Sequence, residues 1–198
     1  MTKTLAIAVA TYNQGDVELR GMIYGLLAQT NNNFKTYVCH DGPSIDSTKA
    51  FMAEICAKYP DNFEYIESET RRALWGHPGR QYALDVCEES YITFTNADNL
   101  FMKDYVLFIN RCLTAYPGTD VFTNTIVHNY FNYNPFHGDK FAICQTDFAN
   151  FIVKTDKAKQ VPFRVNEFAA DGHFIEDFKK KFPTHTRVHI PHILAVHQ

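Results

Sequence analysis

The sequence predicts an α/β domain with a mixed, mostly parallel central sheet and helices on both faces. Three observations predict it. The first apolar run, "TLAIAVATYN", is continuous rather than alternating, as in a strand buried on both faces. Apolar runs then alternate with helical periodicity in the order β-α-β-α-β-α-β, the pattern of parallel strands joined by crossover helices. Finally, 198 residues with 45% hydrophobic content suffice for one domain with a real core and exclude a disordered chain. No internal repeat, low-complexity tract or long linker interrupts the chain, so residues 1–198 read as a single domain.

Each element has its own justification. "DVELRGMIYGLLAQT" places Leu19, Met22, Ile23, Leu26 and Leu27 on one helical face, with Asp16 as a cap. "FKTYVCHDGPS" is a second strand running into a turn. "STKAFMAEICAKY" repeats the amphipathic pattern, with Asp46 or Ser47 near its start. "FEYIES" is a third strand, "GRQYALDVCEES" a third helix and "YITFTNADN" a fourth strand. After residue 100 the rhythm changes. "KDYVLFINRCLTAY" is a helix, and "DVFTNTIVHNYFNYNPF" is strand-like and aromatic. "CQTDFANFIVKTDKAKQV" suggests a strand and then a short helix. "DGHFIEDFKKKF" is a helix, and "THTRVHIPHILAVHQ" a strand with a tail.

The bulk properties narrow the function. A net charge of -3 and a pI near 6.3 give no basic stripe, which excludes nucleic acid as the expected partner. The five cysteines are scattered, with no zinc or redox spacing. Cys39, Cys56, Cys112 and Cys144 lie in apolar surroundings and are expected as buried free thiols, which suits the cytoplasm. The apolar run in "MTKTLAIAVATYN" is too short for a signal peptide, and no run has the length of a transmembrane segment.

The chemistry collects at the strand ends. The first strand ends in Ala10-Thr11-Tyr12-Asn13, the second in His40-Asp41-Gly42-Pro43, the fourth in Asn96-Ala97-Asp98-Asn99. In a parallel sheet these tips point the same way, and open α/β sheets bind ligands there. Tyr12 can stack on a base, Asp41 can accept from a base N–H, and Asp98 can hold a cation against a diphosphate. Each candidate also has a plainer reading. Asn and Asp at 96–99 make turns, D-G is a common turn pair, and Arg80 suits a helix surface. Asp171 suits an N-cap of the helix after it. Neither GxGxxG nor a Walker sequence is present, so those two phosphate loops are excluded.

Taken together, "AVATYNQGD", "LLAQT", "YVCHDGPSIDST", "GRQYAL" and "YITFTNADN" resemble, in order and spacing, the inverting family-2 glycosyltransferases of GT-A fold. The resemblance is dense over the first half and rests on fewer points in the second. It implies a nucleotide-binding half at 1–100 and an acceptor-side half at 101–198. It implies that Ala10, Thr11, Tyr12, Asp41, Arg80, Asn96 and Ala97 contact the nucleotide. It implies a divalent cation, Mn2+ or Mg2+, at Asp98 and His197, and Asp171 as the catalytic base. The implied donor is a nucleotide sugar, with UDP favoured by Asp41, and the implied acceptor a carbohydrate or other hydroxyl. A homodimer is compatible with the short acceptor side. Three positions depart from the family pattern. His40 replaces the first Asp of D-D-G, Ile45 is an insertion, and Asn96 replaces the first Asp of D-x-D. These departures support the rival reading of a non-catalytic nucleotide-sugar or carbohydrate-binding relative. A nucleotidyltransferase, the other rival, normally has a Gly-rich basic first loop that "ATYNQGD" lacks.

The nine histidines include a group near the end, His185, His189, His192 and His197, without the helical spacing of a zinc site. Tyr130, Tyr133 and Phe136 can serve as an acceptor platform or as core and hairpin pairs.

Overall fold

A computed structural model describes residues 3–12 and 16–197, with the Asp16 side chain excepted. Asn13 and the cap expected of Asp16 lie outside what is described.

The first strand, β1 (Leu5–Thr11), is buried along its whole length, as its continuous apolar run requires. It lies between β2 (Phe34–His40) and β4 (Tyr91–Asn96), parallel to both. Beyond β2, β3 (Phe63–Glu67) continues the parallel set. The connections are α1 (Asp16–Leu27), α2 (Asp46–Lys58) and α3 (His77–Val86), so the expected alternation is present.

The second half extends the same sheet. After the short β5 (Leu100–Phe101) and α4 (Tyr105–Ala115) come β6 (Val121–His128), β7 (Asn134–Phe136) and β8 (Phe151–Lys154). Then follow α5 (Thr155–Ala158), α6 (Ala170–Lys181) and β9 (Arg187–His197). The strand order is β3-β2-β1-β4-β8-β6-β9-β5, with β7 beside β6. Strand β8 is antiparallel to both β4 and β6, whereas β9 runs parallel to β6. The sheet is therefore mixed and mostly parallel.

Alternation along β1 divides the core. Leu5, Ile7 and Val9 face α1, α2 and α4, meeting Met22, Ile23, Met52 and Ile109. Ala6 and Ala8 face the other way, toward α3 and α6. That second layer is where the phenylalanines go. Phe94 packs against Phe148, Phe151, Phe163 and Phe174 at centroid separations of 5.0–6.0 Å. Each such ring contributes roughly 1.5–3 kcal/mol by burial.

Small residues let α3 approach the strand ends. A Cβ on Gly79 would lie 2.7 Å from Cys39 Cβ, and one on Gly76 2.5 Å from Ala10 Cβ. Gly76 is also left-handed, with φ 76°. Helix α3 begins at His77, two residues before the expected start, because Pro78 fits a first turn.

Several expectations need correction. Helix α2 does start at Asp46, with Ile45 as N-cap and no side-chain bond there. The N-cap of α6 is Ala169, so Asp171 sits within the first turn and does not cap. Cys39 and Cys87 are buried, Cys56 and Cys112 half-buried, and Cys144 is exposed in a turn with φ 60°. A left-handed turn at the surface displaces Cys144 from the core its apolar neighbours suggested. Strand β9 continues through Pro191, but its register on β6 skips Pro191 and His192, passing from Ile190 opposite Asn124 to Ile193 opposite Thr125.

Candidate active site

The carboxyl ends of β1 and β4 open into a cleft of about 560 Å³. It brings together Ala10, Thr11, Tyr12, Arg80, Asn96 and Asp171, six of the residues singled out from the sequence. Its lining is rich in aromatics, with Tyr130, Phe131 and Phe136 in one contacting group and Trp75 and Phe168 in another.

Arg80 forms the floor. It is only 2% exposed, which removes the reading of a surface helix residue. Its Nη1 donates to the Trp75 carbonyl at 2.8 Å and lies 3.2 Å from His77 Nδ1. Its Nη2 donates to Asn96 Oδ1, and the guanidinium lies 4.3 Å from the Phe148 ring centroid. Burial lowers its pKa to about 10, opposed by Asp147, Asp171, Cys39 and Asp98, so it stays charged at neutral pH. Burial and the Arg80 charge together hold His77 down at about 4, so that ring is neutral.

Asn96 therefore has a definite role. It offers its carbonyl oxygen to the buried guanidinium. Ala97 is fully buried, and its amide donates to the Ala10 carbonyl at 3.1 Å, tying the tips of β4 and β1 together. Asp98 does not line the cleft. Its Oδ1 is buried and unpartnered. Burial raises its carboxyl pKa, opposed by the charge of His197.

Like the fully buried Ala97, Asp41 is an expected nucleotide contact that does not line the cleft. It lines a neighbouring cavity with His40, Arg72, Pro78 and Tyr82. Its Oδ1 accepts from the Arg72 amide at 2.8 Å and its Oδ2 from the Ala73 amide at 2.9 Å. A carboxylate has about four lone-pair sites, so each oxygen keeps acceptor capacity. The loop it holds carries Ala73 and Trp75 at φ 53° and 51°, a costly conformation for residues with a Cβ. Tyr12, which lines the main cleft, is 43% exposed with the Arg71 guanidinium 4.9 Å from its ring centroid.

Asp171 reaches the cleft from the first turn of α6. Its Oδ1 accepts from the Gly172 amide at 2.7 Å. Burial raises its carboxyl pKa, and the negative charge of Asp147 adds to the effect. Such a carboxylate is a stronger base than one in water.

His197, singled out from the sequence, does not line the cleft but lies beside two residues that do and that the sequence did not single out, His128 and Asp147. His128, Asp147 and His197 each offer a ligand atom, and these atoms lie within 4.8 Å of one another. The two imidazoles stack with centroids 4.0 Å apart and planes 7° from parallel. His197 Nε2 is 3.9 Å from Asp147 Oδ2, and His197 Nδ1 is buried without a partner. Burial and the nearby His197 lower the pKa of His128. The only sequence signal for His128 was its place at the end of an apolar strand. Asp147 had none.

Strand tips of a mixed sheet, a buried arginine and a desolvated carboxylate meet at one cleft, and the GT-A plan expected from the resemblance is the fold that this chain shares with solved structures. The sequence profile of "Glycosyl transferase family 2" matches residues 6–188, and the chain belongs to that family. Among solved structures, S. aureus TarS 1–349 superposes with a TM-score of 0.76 at 17% identity, covering 98% of this chain and 60% of that one. TarS 1–349 in complex with UDP-GlcNAc gives 0.76 at 16%, covering 98% and 58%. The mannosyltransferase PcManGT from Pyrobaculum calidifontis, in complex with GDP-Man and Mn2+, gives 0.76 at 16%, covering 99% and 57%. The chain thus spans about 60% of the length of TarS 1–349. No match was found among curated protein sequences. Among the described residues, no helix is long and apolar enough to cross a membrane.

Proposed function

We propose that the chain is an inverting, hexosyl-type glycosyltransferase that moves a sugar from a nucleoside-diphosphate sugar, UDP-linked by preference, to an acceptor hydroxyl. The observation that carries this reading is the desolvated Asp171 carboxylate facing the same cleft as Arg80 and the tips of β1 and β4. The 1–100 half supplies the donor side, with Tyr12 stacking, Asp41 accepting from the base and Arg80 holding positive charge beneath the diphosphate. The 101–198 half supplies Asp171 and the aromatic wall, whose rings suit the C–H faces of a carbohydrate acceptor.

Asp171 takes the proton from the acceptor hydroxyl. The oxygen attacks the anomeric carbon from the face opposite the nucleotide, the bond to the diphosphate breaks, and configuration inverts. The residues present fit a divalent cation, since His197 Nδ1 and Asp98 Oδ1 are buried polar atoms that lack partners. Asp98 and His197 would hold such an ion, Mn2+ or Mg2+, which would supply Lewis-acid stabilisation to the leaving diphosphate.

Calorimetric titration of UDP, GDP and dTDP, with Mn2+ and then with EDTA, on wild type and Asp98→Ala, tests the donor site. Binding of one nucleotide that collapses with EDTA and in the variant supports the reading and names the base. Binding indifferent to both removes the cation from the mechanism. No binding of any nucleotide overturns the transferase reading in favour of a carbohydrate-binding relative.

A further inference from the structure

We propose that Trp75 and Phe168 form a subsite that grips the C–H face of an uncharged sugar ring, and that the cleft refuses acceptors carrying a phosphate or carboxylate. The role as an acceptor subsite rests on the transferase reading; the binding of a neutral sugar does not. The two side chains come from different halves of the chain, yet their rings lie 5.5 Å apart at 74°. Trp75 is 50% exposed and Phe168 75%, and both line the cleft together with Asp171.

Both rings are presented from fixed backbone. Arg80 Nη1 donates to the Trp75 carbonyl at 2.8 Å, and the indole meets the neutral His77 ring at a centroid distance of 6.2 Å. Phe168 sits just before α6, three residues ahead of Asp171. The segment that carries it is tied to that helix twice. Arg164 Nε and Nη2 donate to the two carboxylate oxygens of Asp177 at 2.9 and 2.8 Å, and Glu167 lies 2.8 Å from His173 Nε2. A ring fixed in solvent is preorganised, so a ligand that covers it has little left to order. Two rings at a steep angle make a corner, which takes a pyranose with its C–H face on one ring and its edge against the other.

The charges choose among sugars. Among the described residues lining the cleft, the charged side chains are Arg80, Asp147 and Asp171. Arg80 is buried, bonded to Asn96 and Trp75, and committed to the donor diphosphate in the proposed mechanism. The two imidazoles of the lining, His77 and His128, both have lowered pKa values and add no cation. The acceptor side therefore holds two carboxylates and no cationic side chain. An acceptor with a phosphate or carboxylate would face both acids in a water-poor cleft, where like charges repel more strongly than in bulk water. An acceptor with hydroxyls alone meets no such penalty, and its apolar C–H face matches the aromatic corner.

The test reads sugar contact and nucleotide binding separately. Methyl glucoside and methyl glucuronide share one ring and differ by a carboxylate, as do methyl galactoside and methyl galacturonide. Each is titrated into the full chain, with and without UDP, and NMR saturation transfer from the protein's aromatic protons to the sugar C–H protons is followed. The expected result is transfer to the neutral member of at least one pair, with its anionic twin bound at least about fivefold more weakly. Phe168→Ala and Trp75→Ala each weaken the neutral sugar by about threefold to tenfold, whereas Trp75→Phe keeps a ring and keeps the sugar. Tyr116→Ala, 52% exposed and outside the cleft lining, changes nothing. Asp147→Asn narrows the gap between the paired sugars, which a merely structural role would not do. Melting curves show which variants fold, and Phe168→Leu, apolar but without a ring, replaces Phe168→Ala if that variant does not. Equal binding of both members of a pair, unchanged binding in folded Phe168→Ala or Phe168→Leu, or no transfer to any of the four sugars overturns the proposal. Sugar contact in a protein that binds no nucleotide leaves the subsite standing and removes the transferase reading alone; UDP binding without sugar contact does the reverse.

Discussion

Arg80→Ala is the perturbation from which the structure predicts most. The side chain is 2% exposed and donates to Trp75, Asn96 and the His77 ring. Hydrogen bonds to a charged group contribute about 1.5–3 kcal/mol each, but their sum overstates the loss because burying the charge costs several kcal/mol. Truncation also leaves a void beside Phe148 and three acceptors without their donor. The net expectation is a loss of about 3–5 kcal/mol, which for a chain of this size lowers Tm by roughly 10 °C. Arg80→Met keeps most of the volume and removes the buried charge, so its expected loss is about 2 kcal/mol or less. Urea unfolding of both variants, with UDP titration of each, separates packing from charge. Both should lose donor affinity, since neither retains a cation beneath the diphosphate. A loss under about 1 kcal/mol for Arg80→Ala would refute the claim that the guanidinium organises the cleft floor. Undiminished UDP affinity in Arg80→Met would refute its electrostatic role.

Asp171→Asn should lower turnover by about 10²–10⁴ while leaving donor affinity unchanged. Because burial raises this carboxyl's pKa, the folded state binds the extra proton, and stability falls as pH rises between the unfolded and the folded value. The Asn variant should therefore melt above wild type at pH 7, with the difference closing in acid. Gly76→Ala should cost about 2–5 kcal/mol in urea unfolding, from a left-handed backbone plus overlap with Ala10. Gly118→Ala, also at positive φ but in open space, should cost only about 1–2 kcal/mol. At Asp120, burial alone would raise the carboxyl pKa, but Lys157 at 2.6 Å and the Thr186 amide outweigh it and lower it. That stability is present above the ordinary carboxyl pKa and is lost as pH falls through the depressed folded value. Asp120→Asn should thus destabilise most at pH 7 and progressively less as pH falls, as denaturation across that range will show.

The legible parts of the fold were those set by local pattern. The unbroken apolar run of β1 and the 3.6-residue spacing of α1 and α2 stated their roles directly. Strand β8 was visible as a strand, but its antiparallel insertion between β4 and β6 is a long-range choice that no local periodicity encodes. Strands β5 and β7, of two and three residues, are too short to show a period. At the site, the tips of β1 and β4 were readable because an apolar run that stops at polar residues marks a strand end. The burial of Arg80 was not. It depends on Gly76 and Gly79 letting α3 close on the sheet, a consequence visible only once Cys39 and Ala10 are in place. Asp147 was illegible for a similar reason: a lone acid before "FANFIV" acquires meaning only from the histidines that register brings beside it.

The chain's single tryptophan is Trp75, half-exposed in the cleft wall, with its ring 5.5 Å from Phe168 and its carbonyl bonded to Arg80. All indole emission from the protein therefore originates at this one place. The cleft is self-reporting: a base, a sugar or a paramagnetic ion that enters it changes the whole tryptophan signal, with no label attached and no background to subtract. Rearrangement of the loop held by Asp41 shifts the same light, so arrival of a ligand and movement of its gatepost can be timed against each other in one stopped-flow trace.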